Sequence, residues 1–404
     1  MPKISIVLPT YNGEKYIRQS IQSIINQTFR DWELIIVNDC SDDKTAYIVK
    51  EFQDRDNRIH VITNKENMKL PASLNIGFSI ANGEYLTWTS DDNLYRDNAL
   101  AVLVDYLNKN KSCYMVCALM NVIDDQGKII YTNIKYDAEV MLYNNCVGAC
   151  FLYRREVLTE IGQYNVNKFL VEDYDYWLRI LFRYGKIDYI DTELYLYRLH
   201  DGSLTGKKKK DIDIQRAKLR NEYMGKIAEG LKNNKRLLYR IYLELVSEGL
   251  LSDYARQQII KIIPFVITGT EIVSTFSKDK SILCETYYCL KKSGNLTNDM
   301  ETKIKSIIPQ LCYETSIEPD EKFVIYGAGY YGKNAYIKYH DQIKYYLDSN
   351  EKIIGTRING IKVLPLEEAE NLKDKIMIAA NEEKLYDMII SLEEHGVKTY
   401  SVYR

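Results

Sequence analysis

Four short apolar stretches, each followed by a helical repeat, fill the first 110 residues and restrict this chain to an α/β architecture. Residues 4–8, 33–37, 59–62 and 85–88 read as strands. Between them, Ile17, Ile21, Ile24 and Ile25 fall at helical spacing, 45–52 and 72–81 continue that pattern, and Leu100, Leu103, Val104 and Leu107 repeat it. Such alternation with short connections predicts a mostly parallel sheet covered by helices on both faces.

The alternation is interrupted and then returns. Residues 206–318 read as helical, opening on Lys207-Lys208-Lys209-Lys210, with 12 Lys or Arg against 4 Asp or Glu between Gly206 and Arg240. From Lys322 strands reappear at 323–326, 343–347 and 375–379. A chain of 404 residues exceeds one ordinary domain, so three parts are expected: 1–205, a helical linker or accessory part at 206–318, and a small α/β domain at 319–404. The hydrophobic fraction of 46% supplies sizeable cores, and a net charge of −2 gives no field for nucleic acid. Eight scattered cysteines without a CxxC pair, and four histidines, argue against a zinc cluster or disulfide framework and fit a reducing cytoplasm. No run reaches the roughly 20 apolar residues of a membrane span. A basic helical segment can instead lie on an anionic membrane surface, or be a solvated face.

Four features of the first half converge on one kind of chemistry. Asp91 and Asp92 follow the fourth strand, where open α/β sheets gather ligands and where carboxylates suit a hard divalent cation that also binds phosphate. Pro9-Thr10-Tyr11-Asn12-Gly13 follows the first strand and offers an aromatic face and backbone groups. Asp39, at the end of the second strand, can accept from a base N–H, or cap the next helix. Glu172-Asp173 opens a helix whose macrodipole favours an ionised carboxylate, as a general base requires. Trp177, spaced with Leu178 and Leu181, is expected in the core.

These pieces, in this order, resemble the inverting family-2 glycosyltransferases of the GT-A nucleotide-diphospho-sugar transferase fold. The resemblance spans 1–205 and rests on Ser5-Ile6-Val7-Leu8-Pro9-Thr10-Tyr11-Asn12, Val37-Asn38-Asp39-Cys40-Ser41, Ala81-Asn82-Gly83-Glu84-Tyr85, Ser90-Asp91-Asp92, Glu172-Asp173 and Tyr197-Arg198-Leu199-His200. It implies nucleotide contacts at Pro9, Tyr11, Asp39 and Asp91, and Mn²⁺ or Mg²⁺ at Asp92 with His200. It further implies Arg198 and His200 closing on the diphosphate, Asp173 as the base, and Gly148, Ala149 and Glu172 on the acceptor side. Thr89, Asn38, Cys40 and Lys69 depart from the commoner pattern; glycine is frequent where Lys69 stands. The expected enzyme is a hexosyl- or N-acetylhexosaminyltransferase of surface polysaccharide biosynthesis. Its donor is a nucleotide-diphosphate sugar, with UDP favoured because Asp39 suits an imide N–H, and its acceptor a glycan or lipid-linked hydroxyl. It is expected in the cytoplasm, either free or peripheral on the inner face of the cell membrane; self-association stays open. The alternatives are a non-catalytic or regulatory nucleotide-sugar-binding scaffold and a sugar nucleotidyltransferase.

Gly327-x-Gly329-x-x-Gly332 follows a strand and opens a helix, with Asp348 ending the next strand where a ribose-binding acid would stand. With Ile354-Gly355 and Asn359-Gly360-Ile361-Lys362-Val363-Leu364-Pro365, this part resembles the small Rossmann-like domain joined to sugar-modifying acyltransferases and methyltransferases. A nucleotide-binding module, an assembly module and a dehydrogenase remain open for it.

Overall fold

The computed structural model describes residues 1–132, 136–200, 202–263, 269–314, 318, 321–372, 374–380, 382–397 and 399–403. They form two compact units, Met1–Asn233 and Asn234–Arg404.

The first unit is built on a nine-stranded sheet. It opens with β1 (Ile4–Thr10), α1 (Ile17–Ile25), β2 (Trp32–Asn38), α2 (Thr45–Arg55), β3 (Ile59–Thr63), α3 (Leu70–Ile80), β4 (Tyr85–Trp88), β5 (Leu94–Tyr95) and α4 (Ala99–Lys109). All seven residues of β1 and of β2 are buried, because both faces are covered. Ile4, Ile6 and Leu8 join Ile17, Ile21, Ile24, Leu100 and Leu103 in one core, while Val7 and Val37 meet α3 on the other face. Each such aliphatic side chain, fully buried, stabilises the fold by about 1.5–3 kcal/mol.

The expected parallel pairing holds for β3-β2-β1-β4. The unit continues through β6 (Met115–Ile123), β7 (Ile129–Thr132), α5 (Ala138–Tyr143), β8 (Phe151–Arg154), α6 (Arg155–Ile161), α7 (Glu172–Tyr184), β9 (Asp188–Arg198), α8 (Leu204–Lys207) and α9 (Lys209–Gly230). Parallel pairing returns between β6 and β9, but the remaining pairs of the sheet are antiparallel. β8 runs antiparallel to β4 and β6, and β5 antiparallel to β9. A tight turn closed by Lys128 N–H on the Asp124 side chain, with Asp124 N–H donating to the Lys128 carbonyl, reverses the chain between β6 and β7, which a hairpin allows only antiparallel. Trp177 is fully buried against Phe151, Tyr153 and Tyr176, in the core as its spacing predicts.

The second unit holds α10 (Lys235–Ser247), α11 (Asp253–Ile262), α12 (Gly269–Thr275), α13 (Lys280–Lys292) and α14 (Asn298–Ile307), followed by a six-stranded sheet. Its elements are β10 (Phe323–Tyr326), α15 (Tyr330–Tyr339), β11 (Ile343–Asp348), β12 (Arg357–Ile358), β13 (Ile361–Pro365), β14 (Lys375–Ile378), α16 (Glu382–Glu394) and β15 (Tyr400–Val402). The order β12-β13-β11-β10-β14-β15 puts β10 where the chain switches from one side of the sheet to the other. Among the described residues no helix is long and apolar enough to cross a membrane.

Candidate active site

The carboxyl ends of β1, β2 and β4 lie side by side and bring three of the expected regions together. Beyond β1, Asn12 takes φ +56° and its side chain accepts from Asp42 N–H at 3.0 Å, while its own N–H donates to Ser41 Oγ at 3.0 Å. Gly13 N–H donates to Thr45 Oγ1 at 2.9 Å, so the loops after β1 and β2 are tied together. Pro9 is buried in β1, whereas Tyr11 is 51% exposed and open to stack on a ligand.

Asp39 is only 4% exposed. Its Oδ1 accepts from Asn64 Nδ2 (2.7 Å) and Met68 N–H (2.8 Å), and its Oδ2 from Lys69 N–H (2.9 Å). A carboxylate has about four acceptor positions, so one remains for a ligand N–H. Lys69 sits at φ +72°, ψ 165°, a conformation that costs glycine little and other residues more. The backbone geometry that presents its N–H to Asp39 accounts for glycine being frequent there.

Thr10 donates its hydroxyl to Asp91 Oδ2, and Gly13 passes so close that a Cβ would lie 2.2 Å from that oxygen. Burial and the neighbouring Asp92 charge push Asp91 up to about 7. Thr89, where an acid is commoner, is buried with its hydroxyl 2.5 Å from Tyr195 Oη.

His200 Nε2 lies 3.0 Å from Asp92 Oδ2, and its ring meets Tyr16 edge-on at 4.9 Å. Asp92 Oδ1 is buried and, among the described residues, accepts no hydrogen bond. That orphaned oxygen beside an imidazole fits a divalent cation. Among the described residues no group of three His, Cys, Asp or Glu is arranged around a metal position, so diphosphate oxygens and water would complete the shell. Arg198 is 2% exposed, and its guanidinium donates to the Asp92 carbonyl (3.0 Å), the Asp125 carbonyl (3.1 Å) and Gln19 Oε1 (2.9 Å). It braces the Asp92 turn from within.

Asp173 occupies the first turn of α7. Asn145 Nδ2 donates to its Oδ2 at 2.8 Å, and Tyr174 N–H to its Oδ1 at 2.6 Å. Burial raises Asp173; these two donors and the charge of Arg216 oppose the rise. Glu172 is buried with Oε2 unpartnered among the described residues, and burial plus the Asp173 charge push it up to about 8. Near neutrality the protonated form of Glu172 is therefore favoured beside Asp173. Gly148 (φ +75°) and Ala149 follow Asn145 in the same loop, and Glu172 precedes Asp173 on α7. Burial raises the Tyr197 hydroxyl, and the charges of both Asp92 and Asp173 add to it. Tyr197 thus lies within electrostatic reach of both carboxylates.

In the second unit the glycine loop leaves β10 at the switch of strand order. A Cβ on Gly327 would meet the Ala379 carbonyl at 2.7 Å, and one on Gly332 the Gly327 carbonyl at 1.9 Å, so tight packing accounts for both. Gly329 faces open space. Asp348 Oδ2 accepts from Ala328 N–H at 2.8 Å and Oδ1 from Asn350 N–H at 2.9 Å.

Sequence reasoning gives no role to Asn145, Thr10, Asn64, Tyr197 or Arg216. Thr10 and Tyr197 lie inside motifs already recognised; Asn145, Asn64 and Arg216 carry no local signal.

Comparison with known proteins adds a family to this geometry. The family model for glycosyl transferase family 2 matches residues 5–162. An uncharacterized glycosyltransferase of Methanocaldococcus jannaschii is 32% identical over 222 residues, 52% of this chain and 76% of that protein. One of Rickettsia typhi is 32% identical over 217 residues, 50% of this chain and 66% of that protein. A crystal structure of S. aureus TarS 1–349 in complex with UDP-GlcNAc aligns over 79% of this chain and 95% of that one, with 16% identity and a TM-score of 0.49.

Proposed function

The chain belongs to glycosyl transferase family 2, and we propose that it is an inverting, divalent-metal-dependent glycosyltransferase that moves a sugar from a UDP-sugar to a hydroxyl of a glycan acceptor. The observation that supports the reading most is at Asp92, whose Oδ2 lies 3.0 Å from His200 Nε2 while its buried Oδ1 has no hydrogen-bond partner among the described residues. Tyr11 stacks on the nucleotide base, and the remaining acceptor position of Asp39 takes its imide N–H. Asp92 and His200 would hold Mn²⁺ or Mg²⁺, which when bound supplies positive charge to the donor diphosphate. Arg198 keeps the Asp92 turn in place rather than touching phosphate.

The reaction is one displacement. Asp173 takes the acceptor hydroxyl proton as that oxygen forms its bond to C1, the bond from C1 to the diphosphate breaks, and the anomeric centre inverts. Much of the remaining rate enhancement comes from orientation. The acceptor belongs to a surface polysaccharide or its lipid-linked precursor. Lys207, Lys208 and Lys210 are exposed and would face an anionic membrane. Flotation with anionic vesicles at low salt tests that part, and absence of binding removes it. The second unit is proposed to bind a nucleotide at the Gly329 side of its loop.

The test is a calorimetric screen of UDP, GDP, CDP and dTDP, each with Mn²⁺ and with chelator. Mn²⁺-dependent binding of UDP supports the reading; binding indifferent to metal contradicts the metal assignment.

A further inference from the structure

Helix α9 begins 47 residues beyond the end of the family match, yet it reaches the surroundings of Asp173 from two directions. Toward the loop after α5, Arg216 donates to the Asn144 side chain and Arg220 to the Tyr143 carbonyl. Those contacts hold the two residues that precede Asn145, the residue that donates to Asp173 Oδ2. Toward α7, Tyr223 Oη donates to Asp175 Oδ1 at 2.9 Å, two residues past Asp173, and Glu222 receives Lys168 Nζ at 2.6 Å. Arg220 is buried, so part of the basic excess that the sequence places in this segment is turned inward.

We infer that α9 is a working part of the active site: Arg216 is a positioning residue that, through Asn144 and Asn145, holds the Asp173 carboxylate in the orientation a base requires. The inference rests on the reading of Asp173 as that base. Two physical effects combine. The Asn145 amide fixes one carboxylate oxygen, leaving the other directed by the α7 backbone. The Arg216 guanidinium favours the ionised carboxylate against burial, which opposes it. Other charged or titratable groups around Asp173 are Glu172 and Asp175 on α7, with Asp175 paired to Arg179 at 2.9 Å. Asp213 and Lys209 lie on α9 with Arg216, and Asp213 is 2.5 Å from it. Tyr164 before α7 and Tyr197 on β9 both feel the Asp173 charge. Among these, Arg216 is the group whose positive charge acts on Asp173 most directly.

The experiment follows the Asp173 carboxyl by carbon-13 NMR on the full chain, with the signal assigned by its loss in Asp173→Asn. In Arg216→Met the Asp173 titration midpoint should rise by about one pH unit, about tenfold tighter proton binding, and Arg216→Lys should restore much of it. Should Arg216→Met not fold, Asn145→Ala gives the same upward movement by removing the direct donor. A titration unmoved in folded Arg216→Met or Asn145→Ala, even with a lower melting temperature, would overturn the inference and leave α9 a packing element. Because the readout is the carboxyl itself, it stands whether or not Asp173 proves to be the base. A moved carboxyl titration in an enzyme that tolerates Asp173→Asn would refute the base and not the positioning.

Discussion

His200 Nε2 sits 3.0 Å from Asp92 Oδ2, joining the turn after β4 to the segment after β9 across 108 residues. The contact leaves Asp92 Oδ1 facing inward without a partner among the described residues, which a carboxylate in a finished protein environment rarely tolerates.

That geometry predicts the effect of removing either side chain. Asp92→Ala and His200→Ala should each weaken Mn²⁺-dependent UDP binding by about 10–100-fold, while metal-free binding changes little. Calorimetry with and without chelator measures both. Equal losses in the two conditions would point to a collapsed pocket instead of a lost ligand.

Glu172 predicts how stability responds to pH. Its folded value is raised to about 8 from an ordinary 4.5, so the folded chain holds a proton that the unfolded chain has released. This stabilisation is fully present below pH 4.5 and is lost as pH rises through about 8; the raised Asp173 acts in the same direction. Glu172→Gln stays neutral throughout. Its stability should fall less between about pH 5 and pH 9 than the wild type's, since a tenfold difference in proton affinity between folded and unfolded chain is worth about 1.4 kcal/mol. Urea midpoints across that range decide, and parallel curves for the two proteins would rule the buried proton out.

Lys69 predicts a gain. Its φ of +72° with ψ 165° is a region that costs a side-chain-bearing residue about 1–3 kcal/mol. Glycine loses about 0.5–1 kcal/mol through its freer unfolded state. Lys69→Gly should therefore stabilise the chain by about 1 kcal/mol, the difference between those two costs, read as a higher denaturation midpoint. A lower midpoint would mean that the lysine side chain contributes more than its backbone costs.

Gly13 predicts a local loss. A methyl group there would stand 2.2 Å from Asp91 Oδ2 and 2.6 Å from Thr10 Oγ1, and one of them must move. Gly13→Ala should reduce UDP affinity by about tenfold or more, since a close clash of this kind costs about 1–3 kcal/mol. Unchanged affinity would show that the loop after β1 yields freely and does not set the Asp91 position.

How much of this could be read in advance depends on the range of the interaction. β1, β2, β3 and β4 are apolar runs flanked by helical repeats, and β1 and β2 are buried on both faces, so their pattern is visible in any ten residues. Asp39, Asp91 and Asp92 were legible for the same reason: each closely follows such a run. The antiparallel turn of the sheet at β8 was not, because orientation is decided by which strand β8 meets, a tertiary choice. Asn145 and Arg216 were invisible for a sharper reason. Their meaning lies in Asp173 and Asn144, partners 28 and 72 positions away, and an asparagine or arginine alone resembles ordinary surface. Arg198 was legible as important but not in its orientation, since only the folded chain shows the carbonyls of Asp92 and Asp125 waiting for its guanidinium.

Glycosyl transfer with Asp173 as base is decided by comparing the full-length wild type with Asp173→Asn. The quantity is the initial rate of UDP release from a panel of UDP-sugars with Mn²⁺ and a glycan acceptor, with UDP affinity measured alongside. The rate in Asp173→Asn should be lower by about 10²–10⁴-fold at unchanged UDP affinity. Turnover at the wild-type rate in that variant would refute the base.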